Sequence, residues 1–290
     1  MTGPARADRP EQLGLAGMPT RLFACTPSRL TAYTDCPRRY RMTYLDRPAL
    51  AKGPPWAHNS VGAAVHTALK RWWDLPHGRR TPTGVAALLT GCWIEEGFRD
   101  AAQSAEWRGR ATAWLEPYVA ALDPADDPAG VERHVAARTD RLALSGRVDR
   151  IDERVGELVI VDYKTGRHQP GEADTRASLA LAVYALAAAR TLRRPCQQVE
   201  LHHLPTGTVT RWRHTEESLA RHIGRAEDTA ADIVAATDTL AAGADPDDVF
   251  PANPGPRCGW CDYRRHCAVG QAAAPPHEPW SGLAATLEPA

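Results

Sequence analysis

The stretch "LVIVDYKTGR", residues 158–167, most constrains how this chain can fold. It opens with four apolar residues rich in Val and Ile, a composition typical of a buried strand. Because alternate residues of a strand share one face, Asp162 and Lys164 point to the same side. Two charges at the end of a buried strand indicate either an ion pair or a functional site.

Further strands are predicted on both sides of this one. Residues 131–139 and 141–152 precede it with short gaps, which favours hairpins, and Gly156 lies at the second turn. A strongly apolar helix, two strands and an amphipathic helix follow, and helices dominate before residue 122, with an interruption near Pro117. This order predicts an α/β (α+β) fold with a mixed sheet and a helical N-terminal part.

The predicted hairpin brings two carboxylates together. With its turn near residues 153–156, Asp149 on one strand falls roughly opposite Asp162 on the next. Carboxylates that close raise each other's pKa unless a cation intervenes, and Mg²⁺ prefers oxygen ligands. The pair therefore predicts a divalent-metal site, in which Lys164 orients the attacking water or neutralises charge on a phosphate.

Ordinary structural roles explain the same residues equally well from spacing alone. A strand-end ion pair between Lys164 and Asp162 or Asp149 needs no metal. His66 lies beside the apolar stripe of a predicted helix and is either a packed residue or a ligand through one ring nitrogen. Tyr184, within the apolar helix, is by default a core aromatic residue with a hydrogen-bonded hydroxyl.

The overall composition narrows the class of protein. Lys plus Arg equals Asp plus Glu at 35 each, so any basic surface has to be local. No run of about 18 uncharged apolar residues predicts a membrane span, and the N-terminus has no compact apolar segment of the kind that secretory signals carry. We therefore expect a cytoplasmic protein with reduced cysteines, no membrane association and no disulfide framework.

Three of the seven cysteines lie close together near the C-terminus. The spacing Cys258-x2-Cys261-x5-Cys267 suits a metal knuckle, and Cys36, at a predicted helix break before Pro37, is the better fourth ligand. Zinc and a four-iron, four-sulfur cluster are each usually bound by four protein ligands. His266 is a further possible ligand for zinc, so both alternatives remain. If Cys36 joins the trio, six arginines gather into a basic patch suited to phosphates and unstacked bases: Arg38, Arg39, Arg41, Arg257, Arg264 and Arg265, interleaved with Tyr40, Trp260 and Tyr263.

Together these motifs resemble the RecB-type branch of the PD-(D/E)xK nuclease superfamily. "SRLTAYTDCPRRYRMTYL" is similar to its opening motif, "VGAAVHTALKRWW" to its histidine helix, "GRVDRID" and "IVDYKTGR" to its acidic motifs, and "LAVYALA" to its tyrosine-bearing helix. The cysteine trio resembles that of the cluster-bearing members, including AddB-type and CRISPR-acquisition nucleases. The resemblance implies a restriction-endonuclease-like fold and hydrolysis of DNA phosphodiester bonds with Mg²⁺ or Mn²⁺.

The resemblance also implies roles for individual residues. The metal ligands would be His66, Asp149, Asp162 and the backbone carbonyl of Tyr163. The catalytic group would comprise Asp149, Asp162, Lys164 and Tyr184. The iron–sulfur cluster would be held by Cys36, Cys258, Cys261 and Cys267. Two positions depart from the pattern: Ala180 stands where the branch often has glutamine, and Val148 where the superfamily name has proline.

The resemblance implies one main function and leaves two others open. The main expectation is an exonuclease of DNA repair or recombination; a catalytically weak DNA-binding subunit and a CRISPR spacer-acquisition nuclease are the alternatives. A helicase motor would be a separate chain, because the sequence has no phosphate-binding G-x4-G-K-[ST] loop. We expect disordered residues 1–20, a nuclease domain over 21–270 and a disordered tail over 271–290. Within the domain we expect a helical part at about 60–125, a catalytic core at about 130–245 and a cysteine segment at 254–268.

Overall fold

The N-terminal region contains a short strand and two short helices. The computed structural model describes residues 22–283, in which β1 (Phe23–Cys25), α1 (Pro27–Asp35) and α2 (Pro37–Tyr44) come first. Cys36 ends α1 and caps α2, where its Sγ accepts a hydrogen bond from Arg39 N at 3.5 Å. Proline at the first position of α2 is preorganised for a helix start, so the predicted break at this cysteine is present.

Three helices form a layer on one side of the sheet: α3 (Ala57–Trp73), α4 (Pro82–Gly91) and α5 (Ala101–Ala120). Trp72, Leu69 and Leu115 are buried there against Val159 and Val161 of the sheet. The helical region is broken at residues 92–100 and not near Pro117, which lies inside α5. The sequence-based position of the interruption was therefore wrong.

Within residues 22–283 the sheet has six strands in mixed orientation. The five strands after β1 are β2 (Gly130–Arg138), β3 (Leu142–Arg154), β4 (Glu157–Lys164), β5 (Cys196–His203) and β6 (Thr208–Arg213). The order is β1-β3-β4-β5-β6, with β2 also paired to β3. The pairs β1/β3 and β4/β5 are parallel and the others are antiparallel.

A second helical layer covers the opposite face. It contains α6 (Glu172–Ala177), α7 (Leu179–Leu192) and α8 (Glu216–Ala241), followed by the short α9 (Pro246–Val249). Leu181 and Ala185 of α7 are fully buried against Val148 and Ile160 of the sheet, which explains why this helix is so apolar. The predicted mixed α/β fold, with a central sheet flanked by helices, is confirmed.

The cysteine-rich segment packs against the N-terminal helices. Arg38 N donates to Pro251 O at 3.2 Å, and Gly53 N donates to Asp262 O at 2.8 Å. Two 3₁₀ turns (Pro256–Trp260 and Arg264–His266) lead into α10 (Ala268–Ala273).

Part of the C-terminal segment predicted as disordered lies within the described residues. The segment predicted as a disordered tail is structured over residues 271–283: α10 extends to Ala273, and His277 stacks on Trp260 with ring centroids 4.1 Å apart. Residues 284–290, and the predicted disordered N-terminus, lie outside the described part of the chain. No helix within residues 22–283 is long and apolar enough to cross a bilayer.

Candidate active site

The two aspartates lie where β3 changes its neighbour. β3 pairs with β1 over Leu142–Leu144 and with β4 over residues 150–154, so residues 145–149 pair with neither on that edge. Arg150 lies opposite Val161, and one further step in the same register places Asp149 opposite Asp162. Asp149 Oδ2 accepts a hydrogen bond from Tyr163 N at 2.8 Å, which holds this carboxylate at the point where the strands separate.

A histidine from the helical layer and a glutamate from β2 complete a ligand group. His66 Nδ1 lies 3.3 Å from Asp149 Oδ1 and 3.8 Å from Glu132 Oε1. One ligand atom from each of these three residues lies within 4.8 Å of the others, close enough for all three to hold one metal ion. Asp162 is not a member of this compact group.

Sequence reasoning missed Glu132. The register of β2 against β3 places it opposite Asp149, and its φ of 47° is left-handed, which is uncommon for a glutamate. Its second oxygen lies 2.8 Å from Arg147 Nε, so Arg147 helps hold the carboxylate in place. Counting residues across the predicted hairpin would have found its position, but not its conformation.

The site has a strongly negative potential. Burial lowers the pKa of His66, but hydrogen bonds with Asp149 and Glu132 and the nearby charge of Asp162 outweigh it and raise the pKa to about 10. The imidazole is therefore protonated and balances the carboxylates. A divalent cation would also neutralise the negative charge of the carboxylates. One imidazole nitrogen with several carboxylate oxygens is a donor set that Mn²⁺ and Mg²⁺ accept.

Asp162 and Lys164 form an ion pair at the end of β4, with Nζ 2.7 Å from Oδ2. The Asp162 side chain is 16% exposed and that of Lys164 is 47% exposed, so the lysine side chain is the more accessible of the two to solvent. Burial raises the pKa of Asp162; the Lys164 charge opposes this effect and Asp149 reinforces it. The ion pair considered from spacing thus exists, next to the ligand group.

Tyr184 approaches the carboxylates from the other helical layer. Gly146 of β3 leaves room for the tyrosine ring: a Cβ added there would overlap the ring at Cε1 and lie 3.0 Å from Cδ1. Burial, followed by the charges of Asp162 and Asp149, raises the pKa of Tyr184 to about 12. The phenol therefore keeps its proton at neutral pH. Tyr163 instead directs its ring to the buried side of the sheet, edge-on to His66 at 5.8 Å between centroids.

Two members of the ligand group, His66 and Glu132, line a cleft of about 560 Å³, here called the catalytic cleft. Gly62, Lys70, Arg71, Asp74 and Arg147 also line it. Arg147 is paired with Glu132, whereas Lys70 and Arg71 bring two positive charges against the one of Asp74 and would attract a phosphate group.

The four cysteines predicted to hold a cluster lie in one region of the fold, although Cys36 is distant in sequence from the other three. Cys36 Sγ accepts a hydrogen bond from Asn253 N at 3.5 Å. A Cβ on Gly270 would lie 3.4 Å from Cys267 Sγ and 3.6 Å from Cys258 Sγ, so both thiols face this glycine. Burial raises the pKa of Cys261, and the neighbouring Cys36 acts in the same direction.

Most arginines of the expected basic patch beside the cysteines form ion pairs or hydrogen bonds within the protein. Arg38 and Arg41 each lie 3.0 Å from a carboxylate oxygen of Asp247, and Arg257 lies 2.6 Å from Asp35. Arg264 and Arg265 donate to the backbone carbonyls of Ala274 and Lys52, respectively, and Tyr40 and Tyr263 are buried. The patch predicted from sequence was therefore wrong in most of its members.

Comparison with known proteins agrees with this architecture. The family model described as the PD-(D/E)XK nuclease superfamily matches residues 24–268. A crystal structure of a candidate exonuclease from Eubacterium rectale is similar, with a TM-score of 0.47 and 11% identity over 84% of this chain and 88% of that one. No curated protein matches the sequence significantly. Since the family model covers most of the chain, and the mixed sheet between two helical layers matches a restriction-endonuclease-like fold, this protein belongs to the PD-(D/E)XK nuclease superfamily.

Proposed function

We propose that this nuclease is a Mg²⁺- or Mn²⁺-dependent DNA exonuclease of the RecB type, acting in repair or recombination. The observation that carries the proposal is the convergence of His66, Glu132 and Asp149 next to the Asp162–Lys164 ion pair. These side chains come from one helix and three adjacent strands, and together they bring oxygen and nitrogen ligands beside an ammonium group.

The proposed metal ligands are His66, Asp149, Asp162 and the backbone carbonyl of Tyr163, with Glu132 as an additional carboxylate. The donor set fits, because a buried group of carboxylates balanced by one protonated imidazole is a site where a divalent cation can replace the proton. When bound, such an ion acidifies a coordinated water and stabilises the charge that develops on a phosphate under attack.

The chain's own residues position the reacting groups. The N–H of Tyr163 holds Asp149, and Lys164 holds Asp162 while its partly exposed ammonium donates to a phosphate oxygen or orients the attacking water. The protonated phenol of Tyr184 can donate to a second phosphate oxygen, because it lies close to both aspartates. The catalytic role of all four residues is part of the proposal.

We further propose that Cys36, Cys258, Cys261 and Cys267 hold a four-iron, four-sulfur cluster that joins the two ends of the domain. The cluster is proposed ahead of zinc because the spacing of the cysteine trio resembles that of the cluster-bearing nucleases. Zinc, bound by the same four thiolates, is the alternative.

Four other expectations stay predictions. Ala180, in place of the glutamine that the branch often carries, favours the alternative of a DNA-binding subunit with weak catalysis. A CRISPR spacer-acquisition role, a separate helicase partner and a cytoplasmic location rest on the sequence resemblance and composition alone.

A cleavage assay tests the main proposal. Anaerobically purified protein should degrade linear single- or double-stranded DNA with Mg²⁺ or Mn²⁺, and stop when EDTA is added. Asp162→Asn and Lys164→Ala should each lower the rate at least a hundredfold, whereas Asp174→Asn, an exposed aspartate paired with His168, should not.

Three outcomes would count against the proposal. Equal activity in the Asp162→Asn and Lys164→Ala variants would reject the assigned site. DNA binding without cleavage under any metal would favour the subunit alternative, and cutting of closed circular DNA as fast as linear DNA would reject an exonuclease.

A further inference from the structure

We propose that a second cleft binds the single-stranded nucleic acid leading away from the catalytic cleft; this inference rests on the proposed function. The second cleft, here called the strand cleft, has a volume of about 570 Å³, within the range of pockets that hold one organic ligand. The lining residues used in the argument are Arg39, Lys52, Trp56, His58, Arg167 and Trp260.

The strand cleft lies next to the reacting groups along one helix. Asn59 in the first turn of α3 lines the strand cleft, whereas Gly62 and His66 line the catalytic cleft. At 1.5 Å per residue, Asn59 and His66 are only about 10 Å apart along the helix axis. A nucleic acid strand that crosses the active site would therefore reach the strand cleft within one or two nucleotides of the scissile phosphate.

The end of β4 joins the two clefts from the other side. Gly166 and Arg167, which line the strand cleft, follow Lys164 by two and three residues. Between the clefts, a Cβ on Gly62 would lie 3.2 Å from Thr165 Oγ1, so the helix and the strand end pass each other closely.

The strand cleft has positive charge available for phosphates. Arg167 is exposed and has no ion-pair partner among the described residues, unlike the arginines of the cysteine segment. Lys52 is 61% exposed and only 3.8 Å from Asp262, a long contact that leaves its ammonium free to bind a second anion. Arg39 is 37% exposed beside Asp35 at 3.3 Å. Three cations against one lining carboxylate, Asp262, favour a polyanion.

The strand cleft also presents aromatic rings to an unpaired base. Trp260 packs against His277, at 4.1 Å between ring centroids, and against Trp56, at 5.1 Å. Trp56 Nε1 donates to Asp262 at 2.9 Å, which fixes the orientation of this wall. Trp260 is half-buried, and the part of its ring that stays exposed offers an unpaired base an aromatic contact beside the cations.

One polar atom of this wall has no partner within the described chain. His58 Nδ1 is buried and forms no hydrogen bond there, while the ring lies 5.8 Å from that of Trp260. Burial and the charge of Arg167 lower the pKa of His58, so the ring is neutral at pH 7. This nitrogen faces Gly282, where an added Cβ would overlap it, so it is not offered to a ligand. Selection of a single strand rests instead on the aromatic contact, because unpaired bases expose their faces whereas the bases of a duplex are stacked on one another.

Binding of a fluorescent oligothymidylate, measured by anisotropy in EDTA with the full chain, tests the proposal without requiring cleavage. Lys52→Glu and Arg167→Glu should each weaken binding about tenfold or more. The alanine variants should each reduce the slope of log K against log salt by about 0.7, the value for one phosphate contact on a single strand. Trp260→Ala should weaken binding about tenfold and Trp260→Phe much less.

Two controls make the result specific. Arg190→Glu makes the same charge change on an exposed arginine of α7 that lines neither cleft, and it should leave binding within twofold. The EDTA condition is the second control: it prevents metal-dependent cleavage, so that a failure of the nuclease proposal is seen in the cleavage assay and not in this one. Circular dichroism checks folding of Trp260→Ala; the exposed Lys52 and Arg167 variants keep the test decisive if that variant misfolds.

Any of three results would overturn the proposal. Arg190→Glu could weaken binding as much as Arg167→Glu, which would show that only net charge matters. Duplex DNA could bind as tightly as the single strand with the same dependence on Lys52 and Arg167. Both charge-reversal variants could bind like the wild type. An oligouridylate probe used in parallel shows whether the cleft takes RNA as well as DNA.

Discussion

Asp149 accepts a hydrogen bond from the backbone N–H of Tyr163 at 2.8 Å, and this bond fixes one carboxylate at the fork between β3 and β4. The other oxygen of Asp149 remains directed at His66, 3.3 Å away. The Asp149 side chain thus takes the place of a strand-to-strand hydrogen bond. Four further acidic or basic groups are arranged around it: His66, Glu132, Asp162 and Lys164.

Glu132→Gln should weaken metal binding, because it removes one of the three carboxylates nearest to a bound ion. We expect about a tenfold loss of Mn²⁺ affinity, the scale typical of altered groups around metal sites, and a matching rise in the metal concentration needed for cleavage. Isothermal titration calorimetry measures the affinity. Glu172→Gln, an exposed glutamate in the first turn of α6, is the matched control. Unchanged affinity in Glu132→Gln would remove this residue from the proposed site.

Gly146→Ala should lower both activity and stability. The new methyl group would overlap the ring of Tyr184, so the tyrosine has to move away from the aspartates. Overpacking of this kind costs about 1–3 kcal/mol in the free energy of unfolding, and the cleavage rate should fall with it. Urea denaturation and the DNA cleavage assay measure the two effects.

Two further variants separate crowding at Gly146 from a loss of glycine flexibility. Gly109→Ala lies in α5 with no atom within 4 Å of the new Cβ, and should stabilise the protein by about 0.5–1 kcal/mol. In a Tyr184→Ala background, Gly146→Ala should cost little further stability, because the ring that the methyl group overlaps is gone. An equal cost in both backgrounds would show that the ring is not what occupies the space.

Replacement by serine of any one of the four cysteines proposed to hold an iron–sulfur cluster should abolish that cluster. Cys36→Ser and Cys261→Ser should purify without bound iron and with a lower melting temperature, because the N-terminal helices and the cysteine segment would lose their covalent junction. Iron and sulfide content, visible absorption and thermal melting measure this. Cys92→Ser, at the end of α4 and outside the cluster region, should retain iron. A colourless wild-type protein that contains zinc would refute the cluster and leave the nuclease site intact.

The buried pair His214 and His222 should make the protein sensitive to mild acid. Burial and then the charge of His222 lower the pKa of His214 from 6.5 to about 4, and its Nε2 has no hydrogen-bond partner among the described residues. Between these two pH values the unfolded chain binds a proton that the folded chain does not. The free energy of unfolding therefore falls as the pH drops from about 6.5 to about 4.

Urea denaturation at several pH values measures this dependence. His214→Gln should flatten the pH profile in that window, although it loses the hydrogen bond of His214 Nδ1 with Ser218 Oγ at 2.9 Å. His134→Gln, an exposed histidine on β2, should keep the wild-type profile. An unchanged slope in His214→Gln would show that this histidine is not the group responsible.

Sequence reasoning reached the parts of the site that are local. Asp162 and Lys164 share a face because the strand period is two, and Asp149 lies opposite Asp162 because a short turn sets the hairpin register. The cysteine before Pro37 ends one helix and caps the next for equally local reasons. None of these relationships requires knowledge of how distant segments pack.

The convergence of distant groups was decided only by the tertiary structure. His66 meets Asp149 because α3 packs across the sheet, and Glu132 joins them through a left-handed backbone conformation that no sequence pattern indicates. Sequence reasoning counted the arginines near the cysteines as a free basic patch, but the fold supplies Asp35 and Asp247 as partners. The periodicity of the chain determined which residues share a face, whereas long-range packing decided which charges are neutralised and which stay available, since charge pairing depends on distances in space.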